Sequence, residues 1–194
     1  SGLRKLIGYA DLKMKADLYT GIANVYSYID ARDSVMYYYR LSRLAYEKTD
    51  HLFGVFITYE NMGVFMLDNS ILDSAEYYLL RAKKINESLD LVDENAILAI
   101  NLNQLYIAKD ERKKGFEILS EQLKFADELS LNYIEDIYSG ISTYFENVEQ
   151  YDSALIYFKW YNYYKDSTNR TQKFLQIKKL EAKYDNERLR AQKL

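Results

Sequence analysis

The chain contains no cysteine and no proline, and only 7 glycines in 194 residues. Without cysteine there is no disulfide, no thiol nucleophile and no thiolate-bound zinc, and neither an oxidising nor a reducing compartment is favoured. So little proline and glycine is a poor supply of turn formers for an all-β protein; it suits long helices joined by short connections. There is one histidine, His51, at the predicted start of a helix, where a surface or capping role is expected. No Gly-rich phosphate loop, HExxH or Gly-x-Ser-x-Gly is present. Acidic residues are spread over predicted helix faces, so paired-carboxylate chemistry has no location. The expectation is a non-enzyme with no cofactor and no metal. No run of 18 apolar residues exists, so no membrane span is expected. A net charge of −3 makes the chain no electrostatic match for nucleic acid, and cations are not interleaved with aromatics as a phosphate-tracking groove requires.

What is present is a phrase that recurs. Asp33-Ser34-Val35-Met36-Tyr37-Tyr38-Tyr39 returns as Asp73-Ser74-Ala75-Glu76-Tyr77-Tyr78-Leu79 and as Asp152-Ser153-Ala154-Leu155-Ile156-Tyr157-Phe158, with a weaker copy at Lys113 to Leu119. The slots Val35, Ala75, Gly115 and Ala154 step by 40, 40 and 39 residues. A fixed period of this size is the mark of stacked supersecondary units, which form a long surface suited to holding partners. Apolar residues make up 48% of the chain, enough for a folded core. Within a unit the spacing is helical: Phe56, Tyr59, Met62, Gly63, Met66 and Leu67 recur at three- and four-residue steps, as do Ala75, Tyr78, Leu79, Ala82 and Ile85. Asp68-Asn69-Ser70 interrupts the pattern, and Ser70 with Asp73 reads as a helix N-cap box. The predicted helices are 9–29 and 33–48, 50–67 and 70–89, 93–109 and 112–129, 131–147 and 150–165, with a last one from 168 to the end. One continuous array is expected to fold as a single stack.

This array resembles tetratricopeptide repeats. The family's first helix carries a large apolar residue, a small one, then an aromatic; its second carries a small residue, an aromatic and another small one. Here Ile22-Ala23 with Tyr26 is followed by Val35, Tyr39 and Ser42, and Met62-Gly63 with Met66 by Ala75, Leu79 and Ala82. Leu102-Asn103 with Tyr106 is followed by Gly115, Leu119 and Gln122, and Ile141-Ser142 with Phe145 by Ala154, Phe158 and Tyr161. The small residues let paired helices approach closely, and the large ones fill the space beside them. Gln122 and Tyr161 depart from the pattern, the usual proline is missing, and the period exceeds the family's standard of about 34. The resemblance implies an all-α, right-handed tetratricopeptide-like solenoid of about four helical hairpins (units 9–48, 50–89, 93–129 and 131–165, within 9–167). A C-terminal capping or linker helix over 168–194 completes it.

The same resemblance implies a groove lined by the first helices, where peptides dock. Transferred to this chain, the groove candidates are Thr20, Asn24, Glu60, Asn61, Val64, Asn101, Gln104, Ser139 and Thr143. Asn61 and Asn101 share one slot a period apart, and amides can both donate to and accept from a peptide backbone; the alternative is that they are solvated or inter-helix residues. Where the family's chaperone-tail receptors place cations, this chain has Thr20, Ile97 and Asn101, which argues against a carboxylate clamp. Tyr38, Tyr78 and Tyr157 are candidates either for a partner interface or for inter-repeat packing, while Tyr39 and Phe158 are expected to pack. Asn86-Glu87-Ser88 and Asn169-Arg170-Thr171 match a glycosylation sequon, a pattern short enough to arise by chance.

The ends differ from the middle. Leu3, Leu6 and Ile7, in segment 1–8, read as the tail of a helix from a preceding repeat. Lys173 to Leu194 holds seven basic residues against three acids, with Phe174, Ile177, Leu180 and Tyr184 forming an apolar stripe suited to covering the last repeat. The stretch Lys179 to Arg188 resembles the helix that follows repeat arrays in bacterial membrane-linked regulators of the histidine-kinase or helix-turn-helix type. That likeness implies a protein- or peptide-binding sensor or assembly module, periplasmic, in a chain continuing past Leu194. The alternatives are a free-standing, cytoplasmic repeat protein, or a structural protein that self-associates through its Tyr-rich helices or as a homodimer through the C-terminal helix.

Overall fold

The computed structural model describes residues 2–29 and 31–191, with side chains described for 11–29, 31–171, 174–175 and 178–179. Among the described residues there are eight α-helices and no strand: α1 Gly2–Ser27, α2 Arg32–Glu47, α3 Leu52–Asp68, α4 Leu72–Leu89, α5 Val92–Ala108, α6 Arg112–Gln122, α7 Leu131–Asn147 and α8 Tyr151–Ala191. A short 3₁₀ turn, Leu123–Phe125, follows α6. The chain forms two compact units, Ser1–Gln122 and Leu123–Leu194, where the repeat pattern alone predicts one stack.

The first unit is three helical hairpins in sequence. α1 packs on α2, α3 on α4 and α5 on α6; α2 then meets α3, and α4 meets α5. The first helices also touch, α1 with α3 and α3 with α5. The turns that enforce this order are nearly identical. Asp50, Ser70, Asp90 and Asp110, twenty residues apart, all sit in the left-handed region with φ of 51 to 59°. Past three of them the next N–H reaches back to close the preceding helix: His51 to the Tyr46 carbonyl at 3.0 Å, Ile71 to Met66 at 2.9 Å and Glu111 to Tyr106 at 2.7 Å. This closure satisfies carbonyls that a helix end leaves orphaned, and it normally draws a glycine. Here aspartate, which tolerates the left-handed region, replaces glycine at three of the four positions, which accounts for the low glycine content. At the fourth helix end the buried Asn86 amide donates to the Leu91 carbonyl at 3.0 Å instead.

That geometry corrects the N-cap box expected at Ser70 and Asp73. Ser70 is the left-handed residue ending α3, and its N–H is bonded to the Leu67 carbonyl at 2.8 Å. The N-cap of α4 is Ile71, which has no side-chain cap. Only Ile71 separates this left-handed residue from the first residue of α4, which leaves no room for a further capping residue after the closure. His51 does cap: its Nδ1 accepts the Gly54 N–H at 2.9 Å, and its ring stacks on Tyr46.

The small slots behave as the pattern requires. Val35 and Ala75 are fully buried, and Gly115 is buried too. A Cβ on Gly63 would stand 2.6 Å from the Leu79 side chain and 3.1 Å from its backbone nitrogen, so α3 and α4 meet in near-backbone contact there. One on Gly115 would meet the Asn103 side chain of α5 at 2.5 Å. Phe56, Leu79, Leu98, Leu102 and Leu105 form the central core between the second and third hairpins. Met36, Tyr39, Met62 and Phe65 do the same between the first and second. The exception is Gln122. It stands where a small residue is expected, beside Asn95, Leu98 and Ala99 of α5, with its Oε1 buried and unpartnered among the described residues. α6 ends at this residue and passes into the 3₁₀ turn, instead of continuing to 129.

The second unit is α7 packed on the first part of α8. Ile134, Ile137 and Ile141 are fully buried, and the buried Ser142 hydroxyl donates to the Ala154 carbonyl at 3.0 Å. Tyr138 stacks on Tyr164 (5.4 Å between centroids) and on Trp160 (6.0 Å), while Phe145 stacks on Tyr157 (5.4 Å). α8 is one helix of 41 residues, so the separate helices expected over 150–165 and 168–194 are corrected to one. The intervening stretch is polar yet lacks glycine and proline. Ser167, Thr168 and Thr171 return their hydroxyls to the carbonyls four residues back, so these polar side chains are satisfied without a break in the helix. At 1.5 Å per residue α8 is about 60 Å long and α7 about 25 Å. At the other end, residues 2–8 run unbroken into α1; the side chains of Leu3, Leu6 and Ile7 lie outside the described residues. So do those of Ile177, Leu180 and Tyr184, whereas Phe174 is exposed.

Candidate functional site

The groove candidates of the first unit lie on α1, α3 and α5, three helices in contact, and the structure divides them by what each side chain touches. Thr20 faces into its own hairpin: its hydroxyl shares a hydrogen bond with Ser42 of α2 at 2.7 Å. Ser42 also donates to the Ala16 carbonyl at 3.0 Å and sits 3.5 Å from the Thr58 hydroxyl, so this is a buried polar chain joining three helices. Asn24 is exposed, with its Oδ1 accepting the Tyr39 hydroxyl at 2.6 Å. Asn61 and Val64 are half-buried and Gln104 is exposed. The side chains of Asn61 and Gln104 form no hydrogen bond among the described residues.

Glu60 is the anomaly of this face. It is only 7% exposed, and burial, reinforced by the nearby Glu94 carboxylate, pushes its pKa up to about 7. The Asn101 amide donates to its Oε1 at 3.4 Å, which offsets part of that cost. Asn101 therefore works sideways between α5 and α3. Of the repeated amide pair, Asn61 keeps its polar groups available, while Asn101 commits its amide N–H to Glu60. In the second unit Ser139 is half-buried and Thr143 exposed, on α7, with the Thr143 hydroxyl donating to the Ser139 carbonyl at 3.0 Å.

The interface candidates Tyr38, Tyr78 and Tyr157 are all half-buried in ring clusters. Tyr38 stacks on Tyr26 at 5.6 Å, Tyr78 packs on Tyr59 at 6.2 Å, and Tyr157 joins Phe145 and Tyr138. Their rings hold each hairpin's helices together, so packing is their visible role. Tyr39 is buried as expected. Phe158, in the equivalent slot, is 49% exposed, which corrects the expectation that it packs. Tyr39 is covered by Met62 and Phe65 of the following hairpin, whereas among the described residues no hairpin follows α7 and α8. Asn86, of the first sequon, is fully buried and bonded to Leu91, so it offers nothing to a glycosyl donor.

Sequence reasoning missed a cavity of about 480 Å³ in the first unit. It is lined by buried Val55 and half-buried Tyr59 and Ile85, with Leu52, Arg81 and Lys84 on its exposed side. These residues come from α3 and α4 and lie beside the α2–α3 turn. The available signal was the end of each repeat, where apolar spacing continues into Ile85 while Arg81 and Lys84 stay cationic. Among the described residues no cluster of potential metal ligands occurs, and no helix is long and apolar enough to cross a membrane. No protein-family model matches the chain, and a search of curated proteins likewise finds no match.

Proposed function

We propose that this chain is a non-catalytic scaffold for a protein or peptide partner, of the tetratricopeptide-repeat kind, serving as the sensor or assembly module of a bacterial signalling or transcriptional regulator. The observation that supports it is the alignment of α1, α3 and α5 into one face carrying amides with unused donors and acceptors, Asn61 above all, next to exposed Asn24 and Gln104. Such amides bond to any extended backbone and so hold a segment without reading its side chains. The partner would lie across this face and bias how the three hairpins sit on one another. The test is a peptide-library titration followed by backbone amide NMR. Shifts on α3 and α5 that weaken in Asn61→Ala and Gln104→Ala are expected; an unresponsive α1–α3–α5 face refutes the reading.

A second reading has its own observation. Leu155, Ile156, Trp160 and Tyr163 of α8 are exposed, a density of apolar surface that marks association sites. Self-association through α8, including a homodimer, is the structural alternative. Sedimentation decides it: a concentration-independent monomer leaves that reading without support.

A further inference from the structure

The cavity lined by α3, α4 and the α2–α3 turn has a composition that the α1–α3–α5 face does not share. Its volume of about 480 Å³ falls in the range of small-molecule sites, roughly 300–1,000 Å³. Val55 is buried, Tyr59 and Ile85 are half-buried and Leu52 is half-exposed, so the interior is apolar with a wall that a ligand would cover. Tyr59 presents a ring already contacted on one side by the Arg43 guanidinium, 5.6 Å from its centroid.

Charge at the rim is unbalanced. Glu47 lines the cavity, but its carboxylate is paired with Arg43. Arg81 and Lys84 have no carboxylate partner among the described residues; Arg81 rests over the Tyr77 ring at 5.4 Å. Asp50 is the one remaining acid of the lining against these two cations. His51 contributes a donor of defined identity. Its Nδ1 accepts from Gly54, so the neutral ring carries its proton on Nε2. Ser88 spends its own proton on the Ile85 carbonyl at 2.7 Å, leaving oxygen lone pairs only.

We propose that this cavity binds a small amphiphilic carboxylate: a flat apolar body seated on Val55, Tyr59 and Ile85, with its single anionic group held by Arg81 and Lys84. A neutral apolar ligand would leave two cations unused, and a dianion would meet Asp50. An arginine guanidinium suits a carboxylate because it can donate two parallel hydrogen bonds. The site lies on α3, α4 and the α2–α3 turn, and stands independently of any partner on the α1–α3–α5 face.

The probe is 4-phenylbutyrate, with 4-phenylbutanamide as its neutral twin, titrated into the full chain and followed by backbone amide NMR. Saturable shifts confined to residues 47–59 and 81–88 are expected for the carboxylate, with the amide bound about tenfold more weakly. The double variant Arg81→Gln/Lys84→Gln should lower carboxylate affinity by a similar factor and leave the amide unchanged. Ile85→Trp should fill the cavity and abolish both; if it does not fold by circular dichroism, Leu52→Trp on the half-exposed wall serves instead. Equal affinity for the two probes overturns the proposal, as does carboxylate binding that survives the double variant. Absence of saturable shifts by about 5 mM, a weak millimolar limit, overturns it as well.

Discussion

Removing the charge of Glu60 should stabilise this protein at neutral pH and do nothing in acid. The Glu60 pKa rises from an ordinary 4.5 to about 7, first because burial penalises the carboxylate and then because Glu94 is near. A raised carboxylate means that the folded state holds its proton more tightly than the unfolded chain. Between pH 4.5 and 7 the folded protein therefore binds more protons, and stability falls as pH climbs through that window. Above pH 7 the loss is complete and the curve flattens. A displacement of this size corresponds to about 3 kcal/mol, at about 1.36 kcal/mol per pH unit. Glu60→Gln keeps the shape and can still meet Asn101 but has no proton to lose. The difference in unfolding free energy between the two proteins should be near zero at about pH 4 and reach about 3 kcal/mol in favour of the glutamine variant at about pH 8. With a urea dependence of about 2 kcal/mol per molar, the midpoint gap opens by more than about 1 M. Far-UV circular dichroism is the readout, because the sole tryptophan, Trp160, belongs to the α7–α8 unit. Parallel curves across that range would mean that Glu60 is hydrated in the folded state and that its burial between α3 and α5 is wrong.

Three further perturbations probe the packing. Gly63→Ala should cost about 1–3 kcal/mol, since its Cβ would stand 2.6 Å from the Leu79 side chain and 3.1 Å from a backbone nitrogen that cannot yield. Gly21→Ala, with nothing within 4 Å of the new Cβ, should instead stabilise by about 0.5–1 kcal/mol; urea titration of the pair tests both signs. Glu149→Gly, at φ 60°, should relieve about 1 kcal/mol of left-handed strain and raise the midpoint followed by Trp160 fluorescence. The same change at Asp50 should gain less, because aspartate enters that region more readily. Leu102→Ala, in the middle of the core shared by the second and third hairpins, should cost about 2–5 kcal/mol by thermal or urea unfolding.

Much of the fold was legible because it depends on near neighbours. Apolar residues at three- and four-residue steps mark a helix whatever it packs on, and Val35, Ala75, Gly115 and Ala154 announced close approach through their size alone. The turns near residues 30, 50, 70, 90, 110 and 149 were placed correctly, the end of α6 was placed too late, and the turn at Ser70 was read wrongly. Local chemistry there favours a cap, while the three-residue connection to α4 uses Ser70 to close the preceding helix. The break expected near residue 167 did not occur, because loss of apolar periodicity does not by itself end a helix that meets no glycine or proline. The candidate site was less legible. Thr20, Glu60 and Asn101 each carry a polar group that could equally face a ligand or a neighbouring helix. Only the partner at long range decides: Ser42 for Thr20, and the Glu60–Asn101 contact itself for the other two.

Side-chain size and spacing along single segments were enough for an all-helical chain, its forty-residue period and the positions where helices must touch. The folded arrangement was needed to see that Glu60 is buried, that Phe158 is left uncovered where Tyr39 is sealed, and that Arg81 and Lys84 overhang an apolar cavity. Exposure is a property of what lies opposite, and what lies opposite comes from residues a whole hairpin away.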